Sequence, residues 1–197
     1  MAAGLADTDV ANKALIEMGE TGTLTALSDD NDAARVILSA FNISRRAVLR
    51  AHNWGFAKKR ASVAKDSEDP LWDYENRYRL PGDFIKLVEM YPREVSWRRE
   101  GDYLLADYGP PLQYIYIFDE DNLGAWDALA LDAFSTRLAA DCAYAVTGDR
   151  NLRTELMSHF DEKLREARHV AAMENSSTQG LDIDIWTEAR FHNNGAY

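Results

Sequence analysis

"GAWDALALDAFSTRLAADCAYAVT", residues 124–147, decides the fold. Trp126, Leu129, Leu131, Ala133, Phe134, Leu138, Cys142 and Tyr144 spread around this segment, whereas a surface helix confines its apolar residues to one stripe. A helix apolar on most sides needs neighbours on most sides, so it is read as the centre of a helical bundle. Gly148-Asp149 ends it. Residues 151–173 follow with Leu152, Leu156, Phe160, Leu164, Ala167 and Ala171 at spacings of three and four, the pattern of an amphipathic helix.

Toward the amino end, "TDVANKALIEM" (8–18) places Val10, Ala11, Ala14, Leu15 and Met18 on one stripe, with Asp7 or Thr8 as N-cap and Gly19 as left-handed C-cap. After "GETGTLTAL", the acidic run Ser28–Asp32 opens a helix reaching about His52, since carboxylates suit the positive end of a helix. Its stripe reads Ala33, Val36, Ile37, Ala40, Phe41, Ser44, Val48 and Ala51.

From Trp54 the period changes. "RASVAK", "FIKLVEMY", "VSWRREGDYLLAD" and "LQYIYIF" alternate at a period of two among prolines, so residues 55–118 are expected to be strand and turn. Glu100-Gly101 is the expected hairpin turn, and Gly109-Pro110-Pro111 ends that hairpin. In "NRYRLPGDFIKLVEMYP" (76–92), Pro81 forces Leu80 to be extended, Gly82 allows the turn, and Asp83 can accept backbone N–H bonds. That stretch is read as a loop that turns the chain. The fold class is therefore α+β: a helical bundle from residues 1–56 and 119–175, a strand-rich insertion at 57–118, and an extended C-terminal arm at 176–197. In that arm Ile183 and Ile185 alternate with Asp182 and Asp184, ahead of Trp186 and Phe191.

A chain of 197 residues with 46% hydrophobic content can bury a core. The start "MAAGLADTDVANK" lacks the basic end and apolar core of a signal peptide, and no apolar run approaches the roughly 20 residues of a membrane span, so an intracellular protein is expected. A formal charge of -11 argues against a protein that wraps nucleic acid.

No catalytic constellation emerges. The G-x-S-x-G elbow is absent, and Cys142, set in an apolar helix, reads as a small buried hydrophobe. His52, His159, His169 and His192 form no zinc-ligand spacing. "DEDNLGAWDALA" from Asp119 fails as a calcium loop, with Leu123 at its fifth position and Ala130 where a bidentate Glu belongs. Its acids are read instead as the cap of the central helix. Gly19–Thr23 lacks the Gly-Lys-Ser/Thr of a phosphate loop. Arg45, Arg46, Arg50, Lys58, Lys59 and Arg60 concentrate positive charge in an acidic chain, which suits a solvated face, a neighbouring subunit's acids or phosphate contact.

The order of the pieces carries a resemblance. "ALIEMG", "AARVILSAF", "VLRAHNWGFAKKRASVA", "YRLPGDFIKLV" and "AWDALALDAFSTRLAADCAYAVTGD" followed by an amphipathic helix resemble the head-to-tail adaptor proteins of tailed phages, most closely the tail tubular protein A type of short-tailed phages. The resemblance covers about residues 8–174 and rests on W-x-F-A with its basic residues (Trp54, Phe56, Ala57, Lys58, Lys59, Arg60) and Y-x-L-P-x-D (Tyr78, Leu80, Pro81, Asp83). It implies a structural virion protein without cofactor or metal: a ring, twelvefold in that family, docked under the portal and presenting its other side to the tail nozzle, with DNA passing through unread.

In that setting, Ile183, Ile185, Trp186 and Phe191 are the expected contacts to the portal or a neighbouring subunit. Trp97, Arg98, Arg99 and Tyr103 are the expected contacts to the nozzle, and Arg45, Arg46 and Arg50 those to a subunit or DNA phosphate. The strand region's aromatics, Tyr78, Trp97, Tyr103, Tyr108, Tyr114 and Tyr116, exceed what one small sheet can enclose, which points that region at the tail. Two alternatives stand beside this reading: another neck or head-completion protein, and a nucleic-acid-binding regulator using the basic segment 45–60.

Overall fold

A computed structural model describes residues 7–175 of the chain. The expected arm at 176–197, with Ile183, Ile185, Trp186 and Phe191, lies outside the described residues, as does His192. The described part is α+β: four α-helices and two small antiparallel sheets of three strands each.

Helix α1 (Asp7–Glu17) buries Val10, Ala11, Ala14 and Leu15, the stripe read from the sequence. Asp7 and Thr8 lie inside its first turn rather than before it, and Gly19 takes the left-handed φ of 82° expected of a C-cap. Helix α2 (Asp32–Ala51) starts one residue after Asn31, whose side chain accepts from Ala34 N at 2.8 Å. Its fully buried line runs through Ala34, Ile37, Phe41, Ser44, Arg45, Val48 and Leu49, so Ala33, Val36, Ala40 and Ala51 flank the core.

The central helix α3 (Ala128–Thr147) begins later than expected. A 3₁₀ turn, Leu123–Ala125, precedes it, and Asp127 caps it by accepting from Leu129 N and Ala130 N. The acids at Asp119–Asp121 therefore do not cap this helix. Gly148, at φ 75°, ends it as expected, and α4 (Arg150–Asn175) lays Leu156, Phe160, Leu164 and Ala167 against it. Phe134 sits at the middle of the bundle, fully buried, edge-on to Phe41 at 5.2 Å and beside Trp126 at 5.6 Å.

Between α2 and α3 come β1 (Lys58–Val63), β2 (Asn76–Arg79), β3 (Phe84–Tyr91), β4 (Trp97–Glu100), β5 (Tyr103–Ala106) and β6 (Leu112–Phe118). One sheet has the order β1-β6-β3 and the other β2-β5-β4. The hairpin β4–β5 pairs Glu100 with Tyr103, so Gly101-Asp102 is the turn, with Gly101 at the positive φ of 55° that its first position requires.

Strand β6 is the central strand of its sheet and is buried on one face throughout and on the other toward its end, with Gln113 exposed and Ile115 half-buried. Its Leu112, Tyr114 and Tyr116 join Tyr78, Leu80, Met90, Leu104 and Ala106 in a cluster between the sheets. Ile117 turns the other way, into the helical core, where Ile85 and Val88 of β3 also pack. Half of the aromatics that seemed too many for one sheet, Tyr78, Tyr114 and Tyr116, are thus enclosed because there are two sheets. Trp97 and Tyr108 remain exposed.

Candidate functional site

The two motifs that carry the resemblance meet in space. Trp54 is buried, donates its Nε1–H to Val48 O at 2.8 Å, and stacks on Phe56, which in turn stacks on Trp126. These rings wedge the entry to β1 against the bundle. Two residues beyond Ala57, Lys59 reaches Asp83 of the second motif at 2.9 Å and lies over the Phe118 ring.

Asp83 also accepts from Tyr116 Oη at 3.0 Å, so side chains hold it in addition to the backbone N–H expected from the sequence. Burial alone would raise the Asp83 carboxyl, but the bonds from Lys59 and Tyr116 bring it below its ordinary value. Tyr78 is fully buried and donates to Tyr108 O, and Pro81 O accepts from Phe84 N to close the turn.

The arginines expected at a subunit or DNA phosphate are used inside the chain. Arg45 is only 5% exposed; its Nη1 donates to Glu120 O at 2.5 Å, and its Nη2 stands 2.9 Å from Asp119 Oδ1 in ion-pair rather than hydrogen-bond geometry. Its burial removes Arg45 from any contact surface. Arg46, more open, grips Asp119 Oδ2 through Nε at 2.7 Å, and Arg50 donates to Ile85 O at 2.9 Å. Together they tie α2 to the strands and to the end of β6.

The expected nozzle contacts lie on the outer hairpin. All four residues of β4 are exposed, and β4 is an edge strand. Trp97 is open to solvent, Arg98 stands over the Tyr74 ring at 6.0 Å and Arg99 over Phe84 at 5.0 Å, while Tyr103 lies under Arg77 at 4.4 Å. These rings hold the guanidinium groups in place without neutralising them.

A second cationic group gathers where the bundle meets the first sheet. Lys58 and Lys86 both register with Ile117, which places them on one face about 10 Å apart. Arg168 of α4 donates to Ala51 O at 2.6 Å, beside His52. Burial and then the charges of Arg168, Lys86 and Lys58 push His52 below its ordinary value; burial, Arg50 and Arg168 do the same to Lys86. Arg50 and Lys58 belong to the basic concentration read from the sequence, but His52, Lys86 and Arg168 join them only through folding.

The ionic network at the other end is balanced. Lys163 binds Glu17 at 2.9 Å, Thr136 at 2.8 Å and Asp132 at 3.2 Å, and Lys13 also contacts Asp132, so α1, α3 and α4 are cross-linked by charge. Burial, and after it the Asp141 charge, pushes the Cys142 thiol up to about 12, which keeps it protonated and unreactive. His159 and His169 are exposed on α4. Among the described residues no cluster of His, Cys, Asp and Glu could hold a metal, and no helix is long and apolar enough to cross a membrane.

The sequence reading also missed Leu71 and Trp72, which stand out into solvent on the β1–β2 loop. Their signal was present: an apolar pair between Asp69-Pro70 and Asp73, outside any alternating run. No protein-family model matches the chain, and no curated protein matches it.

Proposed function

We infer that the chain is a structural head-to-tail adaptor of a tailed phage: a ring that joins the portal to the tail nozzle, surrounds the DNA exit channel without reading its sequence, and becomes part of the virion neck after assembly in the host cytoplasm. The observation that carries this reading is the Lys59–Asp83 pair. It joins the two motifs behind the resemblance, so both act as one joint between bundle and strands, a mechanical part with no reaction assigned to it. The reading is supported further by large apolar side chains left in solvent on separate elements, Ile16 on α1, Ile43 on α2, Trp72 on the β1–β2 loop and Trp97 on β4. A ring subunit needs at least two unlike adhesive surfaces. No catalytic role is assigned.

Mass measurement of the purified chain, alone and with the portal ring encoded in the same genome, followed by imaging, tests this. A ring seated on the portal is expected, and a chain that never associates with the portal overturns the reading. Reversing Arg98 and Arg99 to Glu should weaken nozzle attachment; unchanged attachment and infectivity remove the hairpin from that interface.

The cationic group of Arg50, His52, Lys58, Lys86 and Arg168 favours a second reading, a nucleic-acid-binding regulator. DNA affinity that falls steeply with added salt would support it. A different neck or head-completion protein would differ in copy number and binding partner.

A further inference from the structure

The loop between β1 and β2 presents Leu71 and Trp72 to solvent at 87% and 71% exposure. The loop is well held. Arg77 binds Asp66 and Glu68 at 3.1 and 2.7 Å, Glu75 N donates to Asp107 Oδ1 at 3.0 Å, and Tyr74 N returns to Trp72 O at 2.9 Å. Asp73 adopts a left-handed φ of 70°, which Asp tolerates better than most residues. A loop braced in this way keeps two bulky apolar side chains outside any core, the form of a docking knob. Acids lie beside the knob: Asp73 flanks it and Glu75 follows in the same loop, while Asp69 is paired with Lys65 at 2.7 Å and Glu68 with Arg77.

Strand β1 runs about 20 Å from this loop to the opposite chemistry. There a hollow of about 240 Å3 is lined by the rings of Trp54, Phe56 and Trp126, with Ala125 and Ala171 beside them. Trp126 Nε1 is buried there without an acceptor. Asp127 and Glu174 also line the hollow, and the Asp127 carboxylate is engaged in capping α3. The cationic group adjoins it: the His52 ring packs on Trp54 at 4.9 Å, and Arg168 lies one turn before Ala171 on α4.

We propose that the Leu71–Trp72 knob of one copy seats in the Trp54–Phe56–Trp126 hollow of the next copy, with Asp73 and Glu75 turned toward the cations around His52 and Arg168. The contact joins two different surfaces of one chain, so it repeats head to tail and closes into a ring when the rotation between copies fits. A large aromatic entering a desolvated pocket, with charged groups around it, is the usual composition of an interface hot spot. The proposal rests on the ring-forming reading above and names the two faces that would form it.

Disulfide trapping tests it at exposed positions, where folding is not at risk. The variants Leu71→Cys and Ala125→Cys are mixed under mild oxidation, in concentrated solution and in the presence of the portal ring. A linked dimer of the mixed pair, well above what either variant gives alone, is expected, and a chain carrying both cysteines should give a ladder of linked oligomers. Adding Trp72→Ala should weaken association about thirtyfold and abolish the ladder, with circular dichroism and melting unchanged. Trapping no better than that of Leu71→Cys with Arg153→Cys, on the exposed side of α4, in either setting overturns the proposal. If the chain still seats on the portal as a ring in that case, the adaptor reading survives and only the assignment of faces falls. A ladder without portal docking has the opposite meaning.

Discussion

Asp119 receives Arg45 and Arg46 from one helix, yet only Arg45 is buried with it. Removing one partner of a buried pair leaves the other charge uncompensated, which is worse than losing an exposed pair. Arg45→Ala should cost about 3 kcal/mol in urea unfolding, and Arg46→Ala under about 1 kcal/mol. Equal losses would mean that Asp119 is solvated well enough to stand alone. His52 gives a pH signature. Its folded value lies below the ordinary 6.5, first through burial and then through Arg168, Lys86 and Lys58, so the unfolded chain takes up the proton first. This contribution is complete above pH 6.5 and is lost as pH falls from 6.5 through the folded value. In His52→Gln the melting temperature should fall less over that window than in the parent chain; identical slopes would assign the acid sensitivity elsewhere. At this scale the sequence shows charge but not its use. Arg45 sits beside Ser44 and one turn before Leu49, inside the buried line, and only Asp119 arriving from the end of β6 makes that position habitable for a cation.

Strand β2 shows what was illegible at the scale of an element. "NRYR" has one apolar side chain in four residues and no run to mark it as a strand. It becomes one because β5 supplies a partner, with Asn76 opposite Ala106 and Arg79 opposite Tyr103, and because Tyr78 points between the sheets. Tyr78→Phe removes only the bond to Tyr108 O and should cost about 1 kcal/mol, whereas Tyr78→Ala should cost about 3–5 kcal/mol by opening a cavity. Chemical denaturation of both variants checks this; a Tyr78→Ala loss no larger than that of Tyr78→Phe would take the ring out of the core. The helices were far more legible, since their period, the Gly19 and Gly148 ends and the α1 and α4 stripes are local properties. The start of α3 was misplaced because Asp119–Asp121 and Asp127 are all plausible caps, and geometry selects Asp127.

Across the whole molecule, two buried clusters share strand β6 as a common wall, Tyr114 and Tyr116 serving one and Ile117 the other. Phe134 is completely buried in the helical cluster, so Phe134→Ala should cost about 3–5 kcal/mol of unfolding free energy, and a loss well under about 1 kcal/mol would contradict that burial. From the sequence by itself came the α+β class, three amphipathic stripes, the all-round apolar character of residues 124–147 that marks the central helix, and the reading of Cys142 as a small buried hydrophobe, because each depends on periodicity or on neighbours a few residues away. Only the tertiary structure decided that the strands divide into two sheets, that Arg45 is an interior group, that Lys59 holds Asp83, and that Lys86 and Arg168 crowd His52. Each of these joins residues far apart along the chain, and whether a charge or ring is exposed there depends on which distant backbone folds over it.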